Sequence, residues 1–201
     1  MTALHLAARF SSASVIETLV KAEAKVDAQD DYQNTPLHYA ARFRAGEVVI
    51  RQLIKCGADV NACGKFQSTP LHYASCFTFY ADVVEVLIRS GADVNACDDN
   101  RKTPLHRAAL LNRKVVPVLV EHGAKVNILD SNNRTPLSYA VVYSKGRDAF
   151  QDRDLAVKAL LAAGADPHMG DNPPLDDEEV EEEVKTLIRE HLTLNRVSTA
   201  V

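Results

Sequence analysis

No stretch of the chain approaches eighteen consecutive apolar residues, so no segment reads as a membrane-spanning helix. The start, Met1-Thr2-Ala3-Leu4-His5, lacks the basic residues and apolar run of a secretory leader, and a cytoplasmic or nuclear location is expected. Cysteine is scarce: Cys56, Cys63, Cys76 and Cys97 form no Cys-x-x-Cys pair, and reduced thiols are expected. Eight glycines and eight prolines are too few for a collagenous or linker-dominated chain. Charge of one sign is also missing from most of the sequence. Residues 1–170 carry 20 Lys and Arg against 18 Asp and Glu, a net +2, while residues 171–201 carry 3 against 9, a net −6. A nearly neutral body gives no electrostatic footprint for a phosphate backbone or an anionic lipid surface, so neither nucleic acid nor membrane is expected as a partner.

Signatures of catalysis are missing as well. No Gly-x-Ser-x-Gly, His-Glu-x-x-His or Gly-x-Gly-x-x-Gly occurs, and the acids are scattered rather than paired. Gly57 with Gly64-Lys65 has six intervening residues where a phosphate loop needs four, and Phe66 stands where that loop needs Ser or Thr. Asn133-Arg134-Thr135 matches a glycosylation sequon, which has no use without a secretory leader. No enzyme activity and no cofactor are expected.

What is present is repetition. Thr2-Ala3-Leu4-His5, Thr35-Pro36-Leu37-His38, Thr69-Pro70-Leu71-His72, Thr103-Pro104-Leu105-His106 and Thr135-Pro136-Leu137-Ser138 begin 33, 34, 34 and 32 residues apart. A second phrase keeps step: Gly57-Ala58-Asp59-Val60-Asn61, Gly91-Ala92-Asp93-Val94-Asn95, Gly123-Ala124-Lys125-Val126-Asn127 and Gly164-Ala165-Asp166-Pro167-His168. In Thr35-Pro36-Leu37-His38-Tyr39-Ala40-Ala41, Thr35 suits an N-cap, Pro36 suits the first helical position, and Ala follows where helices must approach closely. Val48-Val49-Ile50 with Leu53-Ile54, and Val83-Val84 with Leu87-Ile88, have helical apolar spacing and stop at a Gly able to take a left-handed conformation. Two helices per unit follow, with 11 residues rich in Asp, Asn and Gly before the next Thr.

With both phrases in phase over about residues 2–168, the chain resembles the ankyrin repeat family. The resemblance implies an all-α solenoid of stacked antiparallel helix pairs with projecting β-hairpin loops. Units start near Thr2, Thr35, Thr69, Thr103 and Thr135 and fill residues 1–168. Residues 169–192 read as an acidic degenerate repeat or capping helix, with Val180, Val184, Leu187, Ile188 and Leu192 on one face laid over the last unit. The alternative is an acidic interaction tail. Residues 193–201 offer nothing to bury and read as a disordered end.

Departures from the pattern are informative. Glu23 stands where the other units have Gly, so the first unit is expected to be the weakest. Its first helix begins directly after Met1, which leaves a fragment of a longer array as an option. The interval from Thr to Gly is 22 residues in units two and three and 29 in unit five, placing an insertion near Tyr143 to Asp154. Pro117 is tolerable if its helix starts late, near Val115. His5, His38, His72 and His106 hold equivalent positions on helices about 8–10 Å apart, too far to share a metal, so a structural hydrogen-bond ladder is expected. The same separation keeps Cys63 from Cys97.

The remaining candidate is a surface. At about 100° per residue, Tyr39, Arg42 and Phe43 turn away from the core, as do Tyr73, Cys76 and Phe77, then Leu6, Arg9 and Phe10, then Arg107, Leu110 and Leu111. Family resemblance implies that this face and the loop tips, which carry Tyr32 and Phe66, line a concave groove that grips a protein or peptide partner. Aromatics beside Arg have the composition of interface hot spots. The other reading is that the rings pack on their counterparts one unit along. The expectation is a non-catalytic, monomeric interaction module. A substrate adaptor or inhibitor subunit is the alternative, although residues 167–201 contain no recognisable recruitment box. Resemblance further implies Asn61 and Asn95 as possible sites of asparaginyl hydroxylation, each with Leu eight residues and an acid two residues upstream; Asn127 lacks the acid.

Overall fold

The computed structural model describes residues 1–201 except 11, 44–45, 78–80, 142–148, 172, 177, 179 and 199–201, and it leaves undescribed the side chains of 149–151 and 194–198. Five helix pairs follow one another: α1 (Ala3–Arg9) with α2 (Ala13–Lys21), α3 (Pro36–Arg42) with α4 (Gly46–Lys55), α5 (Pro70–Phe77) with α6 (Ala81–Arg89), α7 (Pro104–Leu111) with α8 (Val116–Glu121), and α9 (Pro136–Val141) with α10 (Ala149–Ala162). An eleventh helix, α11 (Glu182–Ser198), packs on α10. First helices touch first helices and second touch second, so the stack consists of an inner row, α1 to α9, and an outer row, α2 to α10.

Columns of equivalent residues explain the packing. Leu4, Leu37, Leu71, Leu105 and Leu137 form one buried column of the inner row, with alanines such as Ala8, Ala41 and Ala109 holding the rows close. Ile16, Ile50, Val84, Val116 and Val157 form the matching column of the outer row, each with 0% exposure. Leu53, Leu87, Leu119 and Leu160 form the next, and here unit one departs, because Leu19 is only partly buried.

Every second helix ends the same way. Gly57, Gly91, Gly123 and Gly164 have φ between 84° and 94°, and Glu23 takes φ 62° in the same role. The double bond of a Schellman end follows in each, as in Gly57 N–H to Ile54 O (2.9 Å) with Ala58 N–H to Leu53 O (3.0 Å), and Glu23 N–H to Val20 O (3.0 Å) with Ala24 N–H to Leu19 O (3.0 Å). Glu23 therefore accepts the left-handed strain instead of altering the turn.

The connections project, but no strand occurs among the described residues, which corrects the expected β-hairpins. Each tip is a tight turn closed by bonds such as Asp30 N–H to Asn34 O and Gln33 N–H to Asp30 O. Gln33, Gln67, Arg101 and Asn133, at equivalent positions, have φ of 65°, 53°, 55° and 51° and curl the backbone before a ladder can extend.

Three further expectations have outcomes. Pro117 lies in the first turn of α8, which starts at Val116 after a 3₁₀ turn over Arg113–Val115, so the late start removes the conflict. The extra length of unit five goes partly into α10, a helix of 14 residues; Tyr143 itself lies outside the described residues. Along α11 Val184 and Ile188 are buried and Leu187 and Leu192 partly so, while Val180, also buried, lies before the helix and not on its stripe. The helix starts at Glu182 and continues to Ser198, past Leu192, because no Gly or Pro interrupts Thr193 to Ser198.

Candidate interaction surface

The side chains that shape the inner face are positioned by one repeated polar device. In α1, α3, α5 and α7 the first-turn histidine turns back on its N-cap threonine: Thr35 N–H donates to His38 Nδ1 (3.0 Å), and the other three match at 3.1 Å. Since Nδ1 accepts, the proton sits on Nε2, which donates to a carbonyl of the next tip. These bonds run from His5 to Asn34 (2.9 Å), His38 to Ser68 (3.0 Å), His72 to Lys102 (2.9 Å) and His106 to Arg134 (3.1 Å). The ladder replaces any metal role, and no cluster of His, Cys, Asp or Glu suited to a metal occurs among the described residues. Burial lowers His38 to about 4 and also depresses His72 and His106, against the weaker opposing pull of their backbone partners.

Each tip is in turn held by one carboxylate. Asp30 Oδ1 accepts from the Tyr32 (2.8 Å) and Asn34 (2.9 Å) amides, while its Oδ2 accepts from the Tyr39 hydroxyl (2.7 Å). Asp130 repeats this with Asn132, Arg134 and Tyr139, and Asp98 with Asn100, Lys102 and the guanidinium of Arg107. Burial pushes the Asp30 and Asp130 carboxyls up, but these donors outweigh it and hold both below the usual range. Burial, with the bond to Asp30, drives Tyr39 up to about 12.

Unit three breaks the rule, with Gly64 in the carboxylate's place. Asn34 reaches in from the previous tip, its Oδ1 accepting from the Lys65 amide (3.2 Å) and the Tyr73 hydroxyl (3.0 Å). A Cβ on residue 64 would lie 2.5 Å from that oxygen and 2.8 Å from His38 Nε2, so only Gly leaves room.

On this frame the candidate residues fall on one continuous surface. Tyr39 packs edge-on to His5 (5.1 Å) and stacks on Phe43 (5.9 Å), and Tyr73 sits likewise on His38 (5.4 Å) beside Phe77 (6.5 Å). Arginines bridge the units: Arg9 lies over Phe10 (5.3 Å) and Phe43 (4.7 Å), and Arg42 over Phe43 (5.4 Å) and Phe77 (5.3 Å). The series ends in units three and four, where Cys76 and Leu110 hold the arginine position and Leu111 follows Phe77. There the surface sinks into a cavity of about 150 Å³ against Phe66, Tyr73, Cys76, Phe77, Arg107 and Leu111. At the tips Lys65 lies over Tyr32 (4.7 Å) and Phe66 (4.9 Å).

The rings fall into two groups, and Tyr39 and Tyr73 pack on the histidine of the preceding unit. Tyr39, Tyr73 and Arg107 are committed to the frame. Phe10, Phe66, Phe77 and Tyr32 are 70%, 58%, 45% and 59% exposed, an apolar area that folding leaves uncovered. Sequence reasoning missed Asn34 and Lys65; the signal for Asn34 was Gly64 interrupting the Asp30, Asp98, Asp130 series. Asn61 and Asn95 lie in the same connections as the tips, shortly after Gly57 and Gly91, and bridge units, with Nδ2 donating to Gly91 O (2.9 Å) and Gly123 O (3.2 Å) and Oδ1 accepting from the Asp93 and Lys125 amides (both 2.8 Å). An enzyme would reach either only after that bridge opens. All four cysteines are free, and burial raises the Cys76 thiol to about 11. No helix among the described residues is long and apolar enough to cross a membrane.

Comparison with known families agrees with tandem repetition over most of the chain. A family model described as "Ankyrin repeats (3 copies)" matches residues 1–62, 45–130 and 71–171. No curated protein matches the chain.

Proposed function

The chain belongs to the ankyrin-repeat family, whose general role is non-catalytic protein interaction, and on that premise we propose that it captures a protein or peptide partner along the groove between its inner helix row and its tips. The observation that carries this reading is the ladder Phe10, Arg9, Phe43, Arg42, Phe77, exposed except for the half-buried Phe43, leading into the cavity at Leu111. Aromatic rings have few side-chain torsions to freeze on binding, which favours affinity for a given contact area.

Affinity capture from a cell lysate with the wild type and two variants tests the proposal. Phe10→Ala with Phe77→Ala is expected to abolish capture of a partner while leaving the melting temperature within about 2 °C, since both rings are exposed. Val48→Ala, a change on the exposed outer helix α4, is expected to leave capture intact. Capture that survives the first variant and fails in the second would place the binding face elsewhere.

A further inference from the structure

Charge is divided between the two helix rows. The inner helices α1, α3, α5, α7 and α9 contain Arg9, Arg42 and Arg107 but no Asp or Glu. Acids occupy the outer row, where Glu17, Glu47 and Glu85 pair with Lys21, Arg51 and Arg89 one turn along. Of the inner arginines, Arg107 is neutralised by Asp98. Arg9 and Arg42 are exposed, and among the described residues they meet aromatic faces and no carboxylate. A guanidinium lying on a ring keeps its N–H edge available for a carboxylate. The exposed acids Asp31 and Asp99 lie in an adjoining hollow of the tips, which shares Lys65 and Phe66 with the cavity.

Spacing then selects the shape of the occupant. Arg9 and Arg42 sit at equivalent positions of adjacent packed helices, about 8–10 Å apart, and the cavity at Phe77 and Leu111 lies one further unit along. A polyproline II segment rises about 9.3 Å per turn of three residues, so its positions i, i+3 and i+6 share a face in register with the units. A β-strand does not match, since residues sharing a face recur every second position, about 6.7 Å apart. The chain's own acidic segment is already engaged, because Val180 and Val184 are buried and Glu181 pairs with Arg153 (2.9 Å).

We infer that the groove recognises a polyproline II peptide with acids at i and i+3, held by Arg9 and Arg42, and an apolar side chain at i+6 seated between Phe77 and Leu111, the peptide running in one direction or the other. The inference rests on the groove being the binding surface.

The test uses the full chain and two fluorescein-labelled probes, Glu-Pro-Ala-Glu-Pro-Ala-Leu and its reversed sequence, in anisotropy titrations at low and high salt. Binding of one probe is expected, weakening with salt. Replacing both Glu by Gln, moving the second Glu to i+2, or changing Arg42→Gln is each expected to cost about tenfold or more, one charge-assisted contact being worth that much. Arg51→Gln on the outer row is expected to change nothing. Equal affinity for the Glu and Gln probes, indifference to spacing, or tighter binding of a single-stranded oligonucleotide than of either probe would overturn the inference. If neither probe binds while capture from lysate still depends on Phe10 and Phe77, the peptide chemistry is wrong and the groove reading stands; if that dependence also fails, both fall.

Discussion

Three buried histidines, His38, His72 and His106, donate from Nε2 and accept at Nδ1, so each must be neutral to fill its place. Their folded-state affinity for protons lies below the ordinary value of 6.5, about 4 for His38, while the unfolded chain protonates near 6.5. Between those limits the unfolded state binds more protons than the native one, so stability falls as pH falls. The contribution is complete above pH 6.5 and is lost progressively toward pH 4, on the order of 3 kcal/mol for His38. Urea midpoints at pH 7.5, 6, 5 and 4 should therefore decline across this interval, the part above pH 5 coming before Asp30 and Asp130, whose unfolded carboxyls take up protons near 3.8, add their own loss. A midpoint flat from pH 7.5 to 5 would show that the imidazoles are not the neutral links their geometry describes.

At the scale of the helix, Glu23 is the informative position. It occupies the left-handed end of α2 with φ 62°, keeps both Schellman bonds and faces solvent. Glu23→Gly relieves the Cβ strain while loosening the unfolded chain, and the two effects partly cancel. A net gain of a few tenths to about 1 kcal/mol is expected, read as a shift in the urea midpoint with unchanged slope. Much of this level was legible in the sequence. Thr and Pro marked every first helix after the first, Gly marked every second-helix end but one, and Pro117 marked the late start of α8. What could not be read were arrangements that depend on a neighbour 30 or more residues away. Asn34 substituting for a missing carboxylate at Gly64 is one; the curl at Gln33, Gln67, Arg101 and Asn133 is local, and it escaped because residues other than Gly carry the positive φ. The surface was half legible: helical geometry turned Tyr39 and Phe77 the same way, but only the structure distinguishes a tyrosine spent on Asp30 from an exposed phenylalanine.

Across the whole molecule, stability is spread by contacts between neighbouring units, so local differences in burial become differences in local opening. The helix α2 buries Ile16 alone, whereas α6 buries Val83, Val84, Val86 and Leu87. Amide hydrogen exchange is expected to be faster in residues 4–22 than in 71–88, by about tenfold for each 1.4 kcal/mol of difference in opening energy. Slower exchange in the first segment would contradict the burial pattern. The histidine links add a direction to this stack. Each Nε2–H points forward, to a carbonyl 28 to 30 residues later, and Ser138, in the same place of unit five, bonds to Thr135. During synthesis each unit thus leaves the ribosome with an imidazole still waiting for a partner not yet made. The growing end of each of the first four units stays unfinished until the following tip emerges.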